Sequence, residues 1–116
     1  MGRRGEDAAC KYLRRRGYNI LTRNFVCPAG EIDIICYHGD CIVFVEVKTL
    51  CDDAAGDPED RITPGKQRRI ERVAKAWLAA HRDPDCAYRF DAVSVVSPPD
   101  GKPRVRHVIE AFGPSR

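Results

Sequence analysis

The sequence predicts an α/β domain in which a mixed, roughly five-stranded sheet is flanked by helices in the order αβββαββ. Three observations lead there. Two segments carry apolar residues at helical spacing, Ala8, Ala9, Tyr12 and Leu13 in the first and Ile70, Val73, Ala74, Trp77 and Leu78 in the second. Five segments, at 18–26, 31–37, 42–49, 88–96 and 105–112, alternate or run apolar and are rich in β-branched and aromatic residues. The second helix lies between the third and fourth strands, and such a crossover delivers its two strands parallel, in a right-handed sense.

The first helix is expected over 3–16, with Arg14, Arg15 and Arg16 near the end where the macrodipole favours cations, and Gly17 as its C′ residue. Glu6 then falls in the first turn, where dipole compensation is its simplest role. Cys27, Pro28, Ala29 and Gly30 form a turn between the first two strands. The polar stretch 50–62, rich in Asp, Gly and Pro, reads as a mobile loop. Thr63 and Pro64 open the second helix as N-cap and N1. Lys66, Arg68, Arg69, Arg72 and Lys75 occupy its outer face or first turns, and His81 closes it as a helix-end residue rather than a ligand.

At 116 residues, with 43% hydrophobic and 32% charged residues, one domain over 1–116 is expected. No apolar run approaches the roughly 20 residues of a membrane span. The N-terminal stretch lacks the apolar core of a secretory signal, so cytoplasm is the expected compartment. The six cysteines, Cys10, Cys27, Cys36, Cys41, Cys51 and Cys86, include no C-x-x-C pair and are expected as reduced thiols, with Cys36 and Cys41 near one another across a hairpin. A Gly-rich phosphate loop, a Ser-His-Asp set and zinc-ligand spacing are all missing. The net charge of +3 is unevenly spread. Residues 1–25 carry seven Lys/Arg against two acids and residues 61–82 seven against one, while residues 51–60 carry five acids and no base. Two basic segments suit a polyanionic substrate, or else are ordinary solvated helix faces.

The chemistry concentrates between Gly30 and Leu50. Glu46 and Lys48 interrupt the end of an apolar strand and, two apart, share a face; Glu31 and Asp33 do likewise on the strand before. With Gly39 and Asp40 as a two-residue type II′ loop, residues pair when their numbers sum to 79, setting Asp33 opposite Glu46 and Glu31 opposite Lys48. Facing carboxylates repel, and a hard divalent ion such as Mg²⁺, with one or two carboxylates and several waters, would relieve them. Lys48 is then placed to hold a water for attack on phosphorus or to offset charge on it. The alternative is a cross-strand Glu31–Lys48 ion pair with Asp33 and Glu46 solvated at the sheet end.

Asp33 followed by Glu46-Val47-Lys48 at the end of an apolar strand resembles the Asp…(Asp/Glu)-x-Lys signature of the PD-(D/E)xK nuclease superfamily. A wider pattern covers essentially the whole chain: Gly5-Glu6, Ala8-Ala9, Tyr12-Leu13, Asn24-Phe25, Gly30-Glu31-Ile32-Asp33, Phe44-Val45-Glu46-Val47-Lys48, Thr63-Pro64, Lys66-Gln67 and Phe90-Asp91. It resembles the YraN-like family, bacterial proteins of unestablished function with a nuclease-like fold. The resemblance implies a restriction-endonuclease-like core with Asp33, Glu46 and the Val47 carbonyl holding Mg²⁺ or Mn²⁺. It also implies that Lys48 orients water, that Glu31 or Glu6 assists, and that Lys66 and Gln67 contact phosphate. Asp91 resembles a family position and reads more simply as a strand-end hydrogen-bonding residue. Thr49 departs from the pattern, since the family often places an arginine after the lysine.

The sequence is therefore expected to encode a metal-dependent nuclease-like protein acting on DNA or structured nucleic acid, with Lys66, Gln67, Arg69, Arg14 and Arg15 gripping the backbone. A non-catalytic module on the same fold, binding nucleic acid or a protein, is the rival. A third reading is a homodimer formed through an apolar sheet edge. Metal binding separates the first two.

Overall fold

The fold follows from how each predicted segment buries its apolar side. A computed structural model describes residues 2–50, 62–81, 86–96 and 101–113. Helix α1 (Gly2–Arg15) is followed by strands β1 (Asn19–Cys27), β2 (Gly30–His38) and β3 (Cys41–Leu50), helix α2 (Pro64–Ala80), and strands β4 (Tyr88–Val96) and β5 (Arg104–Phe112). The αβββαββ order and the five-stranded sheet are as expected, and the architecture is compatible with a nuclease-like core. The predicted loop 50–62 and Cys51 lie, but for Leu50 and Ile62, outside the described residues.

Helix α1 ends as its sequence dictates. Gly17 takes φ +88° and the Tyr18 N–H reaches back to the Leu13 carbonyl at 3.0 Å, while the Gly17 N–H reaches Arg14 at 3.1 Å, closing a Schellman motif. Because α1 begins at Gly2, Glu6 lies beyond the first turn, which contains no acid, so dipole compensation is not its role. Helix α2 opens on Thr63, whose hydroxyl accepts the Lys66 N–H at 3.2 Å, with Pro64 at the first helical position. It closes at His81, whose ring stacks on Trp77 at 3.9 Å.

The strands lie in the order β1-β2-β3-β4-β5, antiparallel except for the β3–β4 pair, which the α2 crossover makes parallel. Each sheet face carries one helix. On one face Phe44, Ile35, Ile32 and Phe90 pack under Ile70, Val73, Trp77 and Leu78 of α2. On the other, Ile34, Val43, Val45, Val93 and Val95 pack under Ala9, Cys10 and Leu13 of α1. Burying such a side chain is worth about 1.5–3 kcal/mol, so the alternation along β3 fixes which residues face which helix.

The β2–β3 hairpin turns at Gly39 (φ +63°), with Asp40 outside the left-handed region, as a type II′ turn requires. Its partners Ile34↔Val45, Cys36↔Val43 and His38↔Cys41 all sum to 79. Cys36 therefore lies opposite Val43 rather than Cys41, and the thiols of Cys10, Cys27, Cys36, Cys41 and Cys86 are free. No helix among the described residues is long and apolar enough to cross a membrane.

Candidate active site

The hairpin register holds only as far as Ile34↔Val45, and the sheet forks beyond it. β2 continues along β1 to the Cys27↔Gly30 pair, whereas β3 continues along β4 to Leu50↔Val96. The predicted backbone pairings of Asp33 with Glu46 and of Glu31 with Lys48 are not made; Glu31 instead lies opposite Val26 of β1. In the crotch of the fork the Asp33 carboxylate accepts the Val47 N–H at 2.7 Å, a side chain doing what a β2 carbonyl would do in a continuing ladder.

Two backbone features support the fork. Asn24, which falls between the Arg23↔Ile34 and Phe25↔Ile32 pairs and so across from Asp33, adopts φ +54°, a left-handed conformation that Asn tolerates better than most residues. That kink turns Arg23 and Asn24 toward α1 together, and both donate to Glu6, each at 2.9 Å. Gly5, next along α1, lies against Thr49 of β3 so closely that a Cβ would overlap the Thr49 hydroxyl and come within 3.2 Å of its Cβ. Helix α1 thus clamps both prongs, β1 through Glu6 and β3 through Gly5.

The fork opens into a cleft of about 470 Å³ under α2, lined by Glu31, Asp33, Glu46, Val47, Lys48, Lys66 and Arg69 among others. Lys66 Nζ lies 2.7 Å from Glu46 Oε2, with the Glu46 side chain 15% exposed. Burial, followed by a hydrogen bond with the neighbouring Glu46 carboxylate and its charge, pushes Asp33 up to about 8, against an ordinary value of 3.8. The Val47 N–H pulls the other way, and Glu6 adds a smaller upward push. At neutral pH Asp33 therefore holds a proton that it shares by hydrogen bond with the Glu46 side chain, and that proton stands where a cation would serve as well. Asp33 and Glu46 are not solvated at a sheet end, and Glu31 and Lys48 form no ion pair with each other among the described residues, so the simple ion-pair alternative does not hold.

The predicted site residues thus divide. Asp33, Glu46, Val47, Lys48, Glu31, Lys66 and Arg69 meet in one cleft. Lys66, in the first turn of α2 as expected, is half-buried against Glu46. Gln67 does not line the cleft; its amide donates to the Ile62 carbonyl at 3.0 Å and ties down the approach to α2. Glu6, 6% exposed, and Arg14 and Arg15 sit on α1, over the opposite face of the sheet. No three His, Cys, Asp or Glu side chains among the described residues form a metal cage. Two oxygen donors that share a proton still fit a hard ion that keeps most of its waters, and do not fit zinc or a softer metal.

Sequence reasoning understated Asp91. It is fully buried in β4, bonded to Arg89 Nε at 2.9 Å, His107 Nε2 at 2.7 Å and the Glu110 N–H at 3.1 Å. The same Arg89 donates to the Tyr18 hydroxyl at 2.7 Å. Burial raises the Asp91 carboxyl, but the His107 and Arg89 bonds outweigh it and hold it below the ordinary value. This is a buried cluster around Asp91 joining β4, β5 and Tyr18 just before β1, not a strand-end hydrogen bond; its one signal in the sequence was an acid inside an apolar strand.

Comparison with known proteins bears on the whole chain. The model of the Uncharacterised protein family UPF0102 matches residues 5–95. The chain belongs to that family, which is the YraN-like family. UPF0102 proteins of Geotalea uraniireducens and Geobacter sulfurreducens are 44% and 43% identical to it over 112 residues, 97% of this chain and 88% of each relative. A UPF0102 protein of a Parafrankia species is 45% identical over 112 residues, covering 97% of this chain and 95% of the relative. The UPF0102 match includes every residue of the forked cleft.

Proposed function

We propose that this UPF0102 protein is a divalent-metal-dependent nuclease of the PD-(D/E)xK type, hydrolysing phosphodiester bonds in DNA or structured nucleic acid. The observation that carries the reading is the pairing of Asp33 and Glu46 at the fork, with Lys48, Lys66 and Arg69 in the same cleft. An Mg²⁺ or Mn²⁺ ion on Asp33 and Glu46, beside the Val47 main chain and Glu31, would supply a polarised phosphoryl oxygen and a bound water of lowered pKa. The chain's own residues do the rest. Lys48, exposed on the Glu46 face of β3, orients a water or offsets charge on phosphorus. Lys66 and Arg69 hold the phosphates on either side. Glu6 serves from behind the sheet, keeping the Asn24 kink and hence Asp33 in place.

The test incubates labelled single-stranded, duplex and hairpin oligonucleotides with the wild type, Asp33→Asn and Lys48→Met, with Mg²⁺, Mn²⁺ or chelator. Ion-dependent cleavage by the wild type, lost in both variants while their melting curves stay cooperative, is the expected result. Cleavage that survives in Asp33→Asn refutes the assignment. One observation favours a second reading, a non-catalytic binding module: Lys66 already neutralises Glu46, as a site that holds no ion would need. A wild type that binds nucleic acid but gains no stability from Mn²⁺ and cuts nothing would establish that reading instead.

A further inference from the structure

A second concavity among the described residues is larger than the forked cleft. It is a groove of about 750 Å³ on the opposite face of the sheet, between α1 and the start of β5. Its charged wall is made of Lys11, Arg15, Arg16 and Lys102, and no acid among the described residues lines it. Lys11 and Arg15 lie four apart on α1 and so share a face, Arg16 follows directly after the helix end, and Lys102 lines the groove from the approach to β5. All four are exposed, and none makes an ion pair among the described residues. The Arg16 guanidinium lies 4.5 Å over the Tyr12 ring, which also meets the edge of His107 at 5.6 Å. Tyr12, Ala8, Pro103 and Val105 give the groove an apolar floor.

Four cations held around a concavity, none of them ion-paired among the described residues, repel one another, and a polyanion is what relieves them. A basic rim over an apolar floor containing an aromatic ring is the chemistry that tracks a single strand, with phosphates on the cations and bases on the floor. A duplex is a rigid convex cylinder and would meet such a groove only at its rim. We infer that this groove binds single-stranded nucleic acid through its backbone phosphates, as a second site facing away from the forked cleft. The inference rests on the nucleic-acid half of the function proposed above, but not on cleavage.

Fluorescence anisotropy in chelator with a labelled oligothymidylate tests it, using the wild type, a Lys11→Gln/Arg15→Gln/Lys102→Gln variant and, as the cleft control, Arg69→Gln. Lys102→Glu alone, outside the helix, provides a second groove variant should the triple change perturb α1. The groove variants are expected to lose tenfold or more in affinity. For the triple variant the slope of log K against log salt should shrink by about 2, three phosphate contacts at about 0.7 each on a single strand. Melting temperature and Mn²⁺ response should stay those of the wild type. Wild-type affinity and slope in both groove variants overturn the proposal, and if Arg69→Gln alone weakens binding, the cleft reading survives that failure. An equal loss on duplex overturns the single-strand assignment, and full displacement of the oligonucleotide by millimolar inorganic phosphate reduces the groove to a simple anion site and overturns it too.

Discussion

The shared proton at the fork makes a prediction about stability that needs no substrate. Asp33 titrates near 8 in the folded chain and near 3.8 when unfolded. Between those values the folded state holds a proton that the unfolded state has released, so stability must fall as pH rises through this window and level off above it. From about pH 5 to about pH 8 the difference spans about 3 units at about 1.4 kcal/mol each, an upper limit of about 4 kcal/mol. Asp33→Asn cannot ionise, and its side-chain oxygen can still accept the Val47 N–H. The variant should therefore gain several kcal/mol on the wild type across that range, a relative shift in melting temperature of roughly 10 °C or more. Mn²⁺ reverses the comparison, because it takes the place of the proton. It should stabilise the wild type increasingly as pH rises, by about 2.7 kcal/mol at a hundredfold excess over its dissociation constant, and leave Asp33→Asn unmoved. Thermal melts at several pH values, with and without Mn²⁺, measure all of this. Wild-type and variant curves that run parallel in pH, with or without the ion, would refute the shared proton and the metal site together.

Other expectations follow from specific contacts. Lys66→Met removes the ammonium that competes for Glu46, so above about pH 8, where the shared proton is leaving, Mn²⁺ should act at a severalfold lower concentration; titration calorimetry checks this, and an unchanged or weaker affinity shows that no competition exists. Gly5→Ala would ordinarily strengthen a helix interior by about 1 kcal/mol, but against Thr49 it should destabilise by about 1–3 kcal/mol, with most of the loss recovered by adding Thr49→Ala, read in denaturant melts. Asp91→Asn takes the carboxylate from the half-buried Arg89 guanidinium and should cost about 2–3 kcal/mol, less than a fully buried pair because Arg89 keeps some solvent and its Tyr18 bond. Because Asp91 is held below its ordinary value, that stabilisation is present above pH 3.8 and is lost as pH falls through the lower folded value, so the wild type should lose its advantage over the variant in acid.

Much of this protein is written locally. Helix limits follow from Gly17, Thr63 and Pro64, whose backbone preferences act within one turn. The type II′ hairpin follows from Gly39-Asp40, and with it the register from Ile34↔Val45 to His38↔Cys41. That Glu46 and Lys48 share a face follows from strand geometry alone, whereas Asp33 comes beside Glu46 through the fork and its bond to the Val47 N–H rather than through the expected pairing. What the sequence could not disclose is where the β2–β3 ladder stops. Strand pairing is a competition, and β1 holds Gly30 and Glu31 while β4 draws residues 46–50 of β3 away, a contest settled by partners distant in the chain. The same applies to Lys66, whose place on a helix is local but whose meeting with Glu46 depends on how α2 lies across the fork. The resemblance points to Glu6 and charge points to Arg14 and Arg15, and only the packing of α1 on the other face sets all three apart from the site. Asp91 looked like a strand-end acid until Arg89 and His107 closed around it. The residues and their local geometry were legible in the sequence, while burial, and with it the proton shared at Asp33, belongs to the tertiary structure, because a charge is desolvated only by what the rest of the chain packs around it.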